Sequence, residues 1–312
     1  MRKRGSEEIS LFGDDGTFGC GESLLSVSLD DERSALDELF AGAMAYRRGS
    51  AYLELLQFIA KFSRYSPFNC FLLHMQNPKV TYVATPGQWR RKFGRFVVPG
   101  AKPMMILAPR TPVLFVYDLA DTHGQPLPDD LDKPFDTRGE LPAGVWHYTL
   151  DNCGEQRIPV MMADLSFLHA GSAQSVPEWS YEVGDGSFPM GFAIRINKSL
   201  ARGAQYSTLV HELGHIFSGH LGADEDSWWP DRRDLPSEQV EIEAESISFL
   251  VCRRLGLETT SAQYLARLAE ADIELPHLSI QTVLRVTNYI ESMGRGRLSK
   301  RRERADVGTQ RR

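Results

Sequence analysis

Residues 207–220, STLVHELGHIFSGH, constrain this chain more than any other stretch. Two histidines four apart, His211 and His215, lie one above the other when the backbone is a helix of 3.6 residues per turn. Glu212 sits beside them. Two neutral imidazoles can take two corners of a tetrahedral zinc site, and the adjacent carboxylate can hold and deprotonate a water at the open corner. From the chain's own His and Glu content, a chance H-E-x-x-H has a probability on the order of one in a hundred. The stretch is therefore expected to form a helix that presents a metal site.

A catalytic zinc needs three protein ligands, so the sequence must supply one more. An elongated motif would place a glycine midway to a third histidine six residues after His215, but those positions hold Ser218 and Leu221. Gly219 and His220 fall out of register, and His220 reads as a residue near a helix end. The other source is residues 235–257, LPSEQVEIEAESISFLVCRRLGL, where Val240, Ala244, Ile247 and Val251 recur at helical spacing and Arg253, Arg254 and Gly256 form a C-terminal stop. Glu238, Glu241 and Glu245 share one face of that helix, whereas Glu243 points away from it. Acids beside an apolar stripe are costly without a partner, and a cation bound by two histidines is such a partner.

At 312 residues the chain has room for two domains, and its 42 % hydrophobic content is that of a globular protein. No run of about 18 apolar residues is present, so no membrane span is expected. MRKRGSEEIS at the N-terminus has no apolar core after its basic residues, unlike a secretory signal. Cys20, Cys70, Cys153 and Cys252 form no C-x-x-C pair, which fits a reduced, cytoplasmic protein.

The net charge of -6 conceals an uneven distribution. Residues 45–110 carry eleven Lys or Arg against one acid, Glu54, a local balance of +10 that leaves -16 for the remainder. Such asymmetry suggests that the basic part meets nucleic acid or another polyanion. Residues 30–48 and 51–65 have helical periodicity, and VTYVA, RFVV, MMILA and VLFVYD follow as short strand-like runs. Among them Tyr65, Phe68, Phe71, Tyr82, Trp89, Phe93 and Phe96 interleave with Arg64, Lys79, Arg90, Arg91, Lys92, Arg95 and Lys102. Cations that track phosphates, mixed with rings on which bases stack, are what single-strand binding requires. About two thirds of those rings are assigned to packing, since large rings dominate buried area.

Two sets of residues resemble known families. HELGH followed by Glu241-Ile242-Glu243-Ala244-Glu245 looks like the metallopeptidase domain of ImmA/IrrE-type and ArdC-type proteins, which are gluzincins. The resemblance implies that Glu241 is the third ligand and that Glu245 hydrogen-bonds a ligand histidine, as carboxylates behind metal-bound histidines commonly do. Glu238 is the rival third ligand. Separately, RYSPFN with Asn69, QNP at 76–78, TPGQW ending at Trp89, FGRFV with Gly94 and Arg95, Gly100 with Lys102, ILAP at 106–109 and VYDLADTHGQPLP resemble the N-terminal single-stranded-DNA-binding domain of ArdC-type antirestriction proteins. Together the two resemblances cover roughly residues 30 to 290. The family's K-G-E-K-like turn is here Pro99, Gly100, Ala101 and Lys102, one lysine short. In zincins an edge strand borders the active-site cleft, and the alternating residues 191–199, GFAIRINKS, are expected to be that strand.

The expectation is an α+β protein, with N-terminal helices and a small sheet followed by a gluzincin-type metallopeptidase domain. Residues 1–29 are expected to be disordered, 30–120 to form the basic DNA-binding domain and 121–145 an acidic, proline-rich linker. The metallopeptidase domain would span 146–293, with a disordered basic tail at 294–312. His211, His215 and Glu241 would hold Zn2+, with Glu212 as general base and Glu245 behind a ligand histidine. Arg64, Asn69, Trp89, Arg90, Arg91, Lys92, Arg95 and Lys102 would meet single-stranded DNA. The competing readings are a DNA-binding protein with a non-catalytic zinc, and a repressor-cleaving regulator of the ImmA/IrrE kind.

Overall fold

Capping chemistry sets two of the first three described helices. In the computed structural model, which describes residues 46–108, 113–127, 139–166, 169–176, 180–183, 186–189, 191–223, 227–296 and 298, helix α1 is Gly49–Lys61 and α2 is Pro67–Gln76. Ser66 caps α2 by accepting the Asn69 N–H, with Pro67 in the first helical turn where its missing donor costs nothing. Strand β1 is Val83–Ala84, and α3 is Pro86–Phe93. A reciprocal capping box opens α3: Thr85 Oγ1 accepts the Gln88 N–H, and Gln88 Oε1 accepts the Thr85 N–H. The expected strand runs then appear as β2 (Arg95–Val97), β3 (Met104–Ile106) and β4 (Leu114–Asp118), followed by β5 (Thr122–Gly124). β4 lies between β1 and β3, antiparallel to both, and β2 pairs antiparallel with β5.

The second half begins with α4 (Val145–Glu155), β6 (Val160–Ala163), β7 (Gly171–Ser175), the hairpin β8 (Ser180–Val183) and β9 (Gly186–Pro189), and β10 (Phe192–Asn197). Four helices complete it: α5 (Arg202–Phe217), α6 (Ser237–Arg254), α7 (Ser261–Glu270) and α8 (Ile280–Arg295). The sheet order is β6-β10-β7, with β6 parallel to β10 and β7 antiparallel to it. The architecture is a mixed α+β one of helices with small sheets. None of its described helices is long and apolar enough to cross a membrane.

One expectation is corrected here. Residues 192–197 occupy the centre of their sheet, and β6 and β7 are its edges. Phe192, Ala193, Ile194, Ile196 and Asn197 are all buried and only Arg195 is exposed, as befits a strand covered on both faces. β7, with the sequence GSAQS, carries too little apolar alternation to announce itself as a strand.

All described residues fall within the unit Gly42–Arg312, and buried side chains of α1, α2 and α4 to α8 join one apolar cluster. Arg254, at the end of α6, ties three helices together. Its guanidinium donates to the carbonyls of Ile59 and Phe62 at the C-terminal end of α1 and of Tyr65 in the connection to α2, and it pairs with the buried Glu291 of α8. Carbonyls at a helix C-terminus lack intrahelical partners and carry partial negative charge, so a buried cation suits them. Residues 128–138 of the expected linker lie outside the described residues, and its described part contains β5. Helix α8 runs through Gly294 and Arg295, into the stretch expected as a disordered tail. The expectations for residues 1–29, for most of the helix at 30–48 and for nearly all of 297–312 lie outside the described residues. Cys70, Cys153 and Cys252 are free and buried, and burial pushes each thiol up to about 12.

Candidate metal centre

Helices α5 and α6 cross where each has a small residue. A Cβ on Gly214 would lie 3.4 Å from the Ala244 Cα and 3.6 Å from Ile247 Cδ1, so the two backbones approach with nothing between them. That approach puts the histidine face of α5 opposite the acidic face of α6. The Nε2 atoms of His211 and His215 lie 3.0 Å apart. Glu241 Oε2 is 3.5 Å from His211 Nε2, and its Oε1 is 3.7 Å from His215 Nε2. One ligand atom from each of the three residues falls within 4.8 Å of the others. Glu238 is exposed on the first turn of α6 and is not in this cluster.

The donor set fits a divalent cation. Two imidazole nitrogens and a carboxylate oxygen converge, an arrangement that is repulsive when both Nε2 atoms present lone pairs and that a cation relieves. The titration behaviour expresses the same crowding. Burial opposes a charge on His211, but a hydrogen bond to Glu241 and the charges of Glu245, Glu212 and Glu241 outweigh it and raise its pKa. His215 is driven the other way, by burial and by the neighbouring His211 and His220. Hydrogen bonding to His211 holds the Glu241 carboxyl below its usual range.

Glu245 Oε1 stands 3.8 Å from His211 Nδ1, on the far side of the ring from Glu241. It faces the nitrogen that the resemblance implied, at a distance too long for a hydrogen bond. Glu212 is buried, and burial raises its pKa, an effect partly countered by His211 and by the backbone N–H of Ala173. Since Ala173 belongs to β7, the general-base candidate leans on an edge strand. Tyr264 of α7 senses the same surroundings: burial first, then Glu241, Glu238 and Glu245, raise its hydroxyl pKa.

The two residues that sequence reasoning set aside lie directly behind the cluster. Gly219, at φ +77, turns the chain back under α5; a Cβ there would stand 1.9 Å from the Pro230 carbonyl oxygen. The turn brings His220 Nδ1 within 3.1 Å of His215 Nδ1. His220 Nε2 is 3.1 Å from Glu243 Oε2, and Arg232 donates to both Glu243 oxygens at 2.7 Å. The Ser279 N–H adds a bond to Glu243 Oε1. Burial disfavours the charge on Glu243, but His220, Arg232 and Ser279 together hold its pKa down. The available signal was Glu243 itself, an acid flanked by Ile242 and Ala244 on the apolar side of its helix, where it requires a partner.

The basic half is used differently from what its composition suggested. Trp89 is fully buried, with its Nε1–H on the Tyr117 carbonyl, so its expected role as a stacking surface is corrected to packing. Asn69 bonds the Leu107 N–H and carbonyl, and Gln76 does the same for Met105, so both amides from α2 cap the outer edge of β3. Arg95 is held by Thr122 and the Gln125 carbonyl, and Arg64 meets the Tyr82 hydroxyl at 3.2 Å. Arg90, Arg91, Lys92 and Lys102 are exposed. Phe68, Phe96 and Phe115 are exposed phenyl rings among the described residues of this half, the last of which sequence reasoning did not single out.

The chain matches no model of a known protein family and no curated protein. Two crystal structures are similar to it, both of the antirestriction protein ArdC from the R388 plasmid, one metal-free and one Mn(II)-bound. Identity is 16 % and 18 %, with TM-scores of 0.36 and 0.37, and each comparison covers 74 % of this chain and 83 % of that one. At that level of likeness the site stands on its own geometry.

Proposed function

We propose that this chain is a metal-dependent peptidase, with zinc as its ion, whose basic half binds single-stranded DNA in an antirestriction role. The observation that carries the reading is the convergence of His211, His215 and Glu241, with Glu212 beside them and outside the ligand set. Two histidines and a glutamate leave a fourth position open, the mark of a catalytic zinc, whereas structural sites close it with Cys or His. When bound, the ion supplies Lewis acidity toward a peptide carbonyl and makes water more acidic. Glu212 takes a proton from the attacking water and returns it to the leaving amine nitrogen. Burial suits it to this by bringing its proton affinity nearer to neutrality. β7 supplies an edge against which an extended peptide can lie through main-chain hydrogen bonds. Glu212→Gln is expected to keep its metal and its fold and to lose cleavage of a mixed peptide library. Equal cleavage by both proteins contradicts the mechanism.

The DNA part of the proposal rests on the exposed cations Arg90, Arg91, Lys92 and Lys102 and the exposed rings Phe96 and Phe115. The antirestriction role is the one that the signature residues of the basic half suggest. For the full chain, log affinity for single-stranded DNA should fall with log salt at a slope of about -2 to -3, roughly -0.7 for each phosphate neutralised. Arg90→Gln with Lys92→Gln should make that slope shallower by about 1.4. Absence of salt-sensitive binding would turn the basic half into a docking surface for an acidic partner.

A further inference from the structure

We propose that His220 and Glu243 are positioning residues of the metal centre. They hold His215 in the tautomer that leaves its Nε2 unprotonated and aimed at His211 and Glu241. This inference rests on the metal-centre reading above, but its argument uses only hydrogen-bond directions.

The chain of contacts can be read from its far end. A carboxylate only accepts, so the 3.1 Å contact between Glu243 Oε2 and His220 Nε2 places a proton on that nitrogen. Arg232 already balances the charge of Glu243 with two bonds of 2.7 Å, and the His220 side chain is completely buried. A second buried positive charge would have no counter-ion, so His220 is the neutral ring with a bare Nδ1. That Nδ1 faces His215 Nδ1 at 3.1 Å, and between two such atoms one must donate. The donor is therefore His215 Nδ1–H, which leaves His215 Nε2 with a lone pair on the side where Glu241 Oε1 stands 3.7 Å away. The protein thus sets the ligand tautomer before any ion arrives, by a route that joins the turn after α5, helix α6 and the start of α8.

The two ligand histidines differ in this respect. Behind its Nδ1, His211 has the 3.8 Å contact to Glu245, whose side chain is 22 % exposed, whereas the His220 and Glu243 side chains behind His215 are both 0 % exposed. His215 is the fixed ligand and His211 the adjustable one. Groups behind a ligand histidine commonly change metal affinity by about 10 to 100-fold when removed.

The test uses the full chain. Nitrogen-15 histidine spectra of the metal-free wild type should show His215 protonated at Nδ1 and His220 at Nε2; a proton on His215 Nε2 overturns the proposal whatever any variant does. Zn(II) affinity by chelator competition and Co(II) visible absorption are then compared in folded variants. His220→Ala should bind Zn(II) about 10 to 100-fold more weakly and alter the Co(II) spectrum. His220→Asn, whose Oδ1 can accept the His215 proton, should recover part of both. A folded His220→Ala protein with wild-type affinity and an unchanged spectrum would make the network purely structural. Failure of the wild type to bind Zn(II) or Co(II) at all would instead remove the metal-centre reading, so the two failures are distinguishable.

Discussion

Polar side chains in the basic half and around the histidine helix are used in opposite ways. Between residues 64 and 107, Asn69, Gln76, Trp89 and Arg95 spend their polar atoms on backbone groups or a threonine of the same half. Around α5 and α6, His211, His215 and Glu241 turn electron-pair donors toward one point, and only their outer atoms meet Glu245 and His220. Residue type is similar in informativeness in both places. What separates a structural polar group from a site is whether its hydrogen-bonding capacity is met within the fold.

The contrast can be broken most forcefully at Trp89. As a packed ring in the basic half, Trp89→Ala should lower stability by roughly 3–5 kcal/mol in urea unfolding. An unchanged unfolding midpoint with weakened DNA binding would return it to the ligand side of the comparison. Next in size is the response to metal. At about 100 times its dissociation constant, Zn(II) should stabilise the wild type by about 2.7 kcal/mol. Glu241→Gln should gain much less from Zn(II) at that concentration, and Glu238→Gln should respond as the wild type does. Thermal unfolding with and without Zn(II) reads this, and a ranking with Glu238 first would misplace the third ligand. Smallest is Gln76→Ala, which removes two bonds to the β3 edge and should cost about 1–2 kcal/mol, with no effect on metal affinity. A cost near zero would mean that water replaces the amide and that the edge is not being held.

Much of the site could be read in the sequence because it is local. The spacing of His211 and His215 needs only a helix, and the Glu241 and Glu245 spacing needs only a second one on the same face. Caps such as Thr85 with Gln88 are equally short-range. What was not legible depends on which elements meet. GSAQS becomes an edge strand only because β10 supplies its partner. His220 reaches His215 because Gly219 turns the chain back, and Glu243 becomes useful because Arg232 and Ser279 come from elsewhere. Trp89 carried no sign of its burial, since a ring above a basic run reads the same whether it packs or stacks.

The central claim, that His211, His215 and Glu241 form a metal centre, is tested most directly by elemental analysis of the purified chain beside its His211→Ala form. The account predicts about one zinc per wild-type chain and loss of most of it in the variant. A folded His211→Ala protein that retains the wild-type zinc content would contradict it.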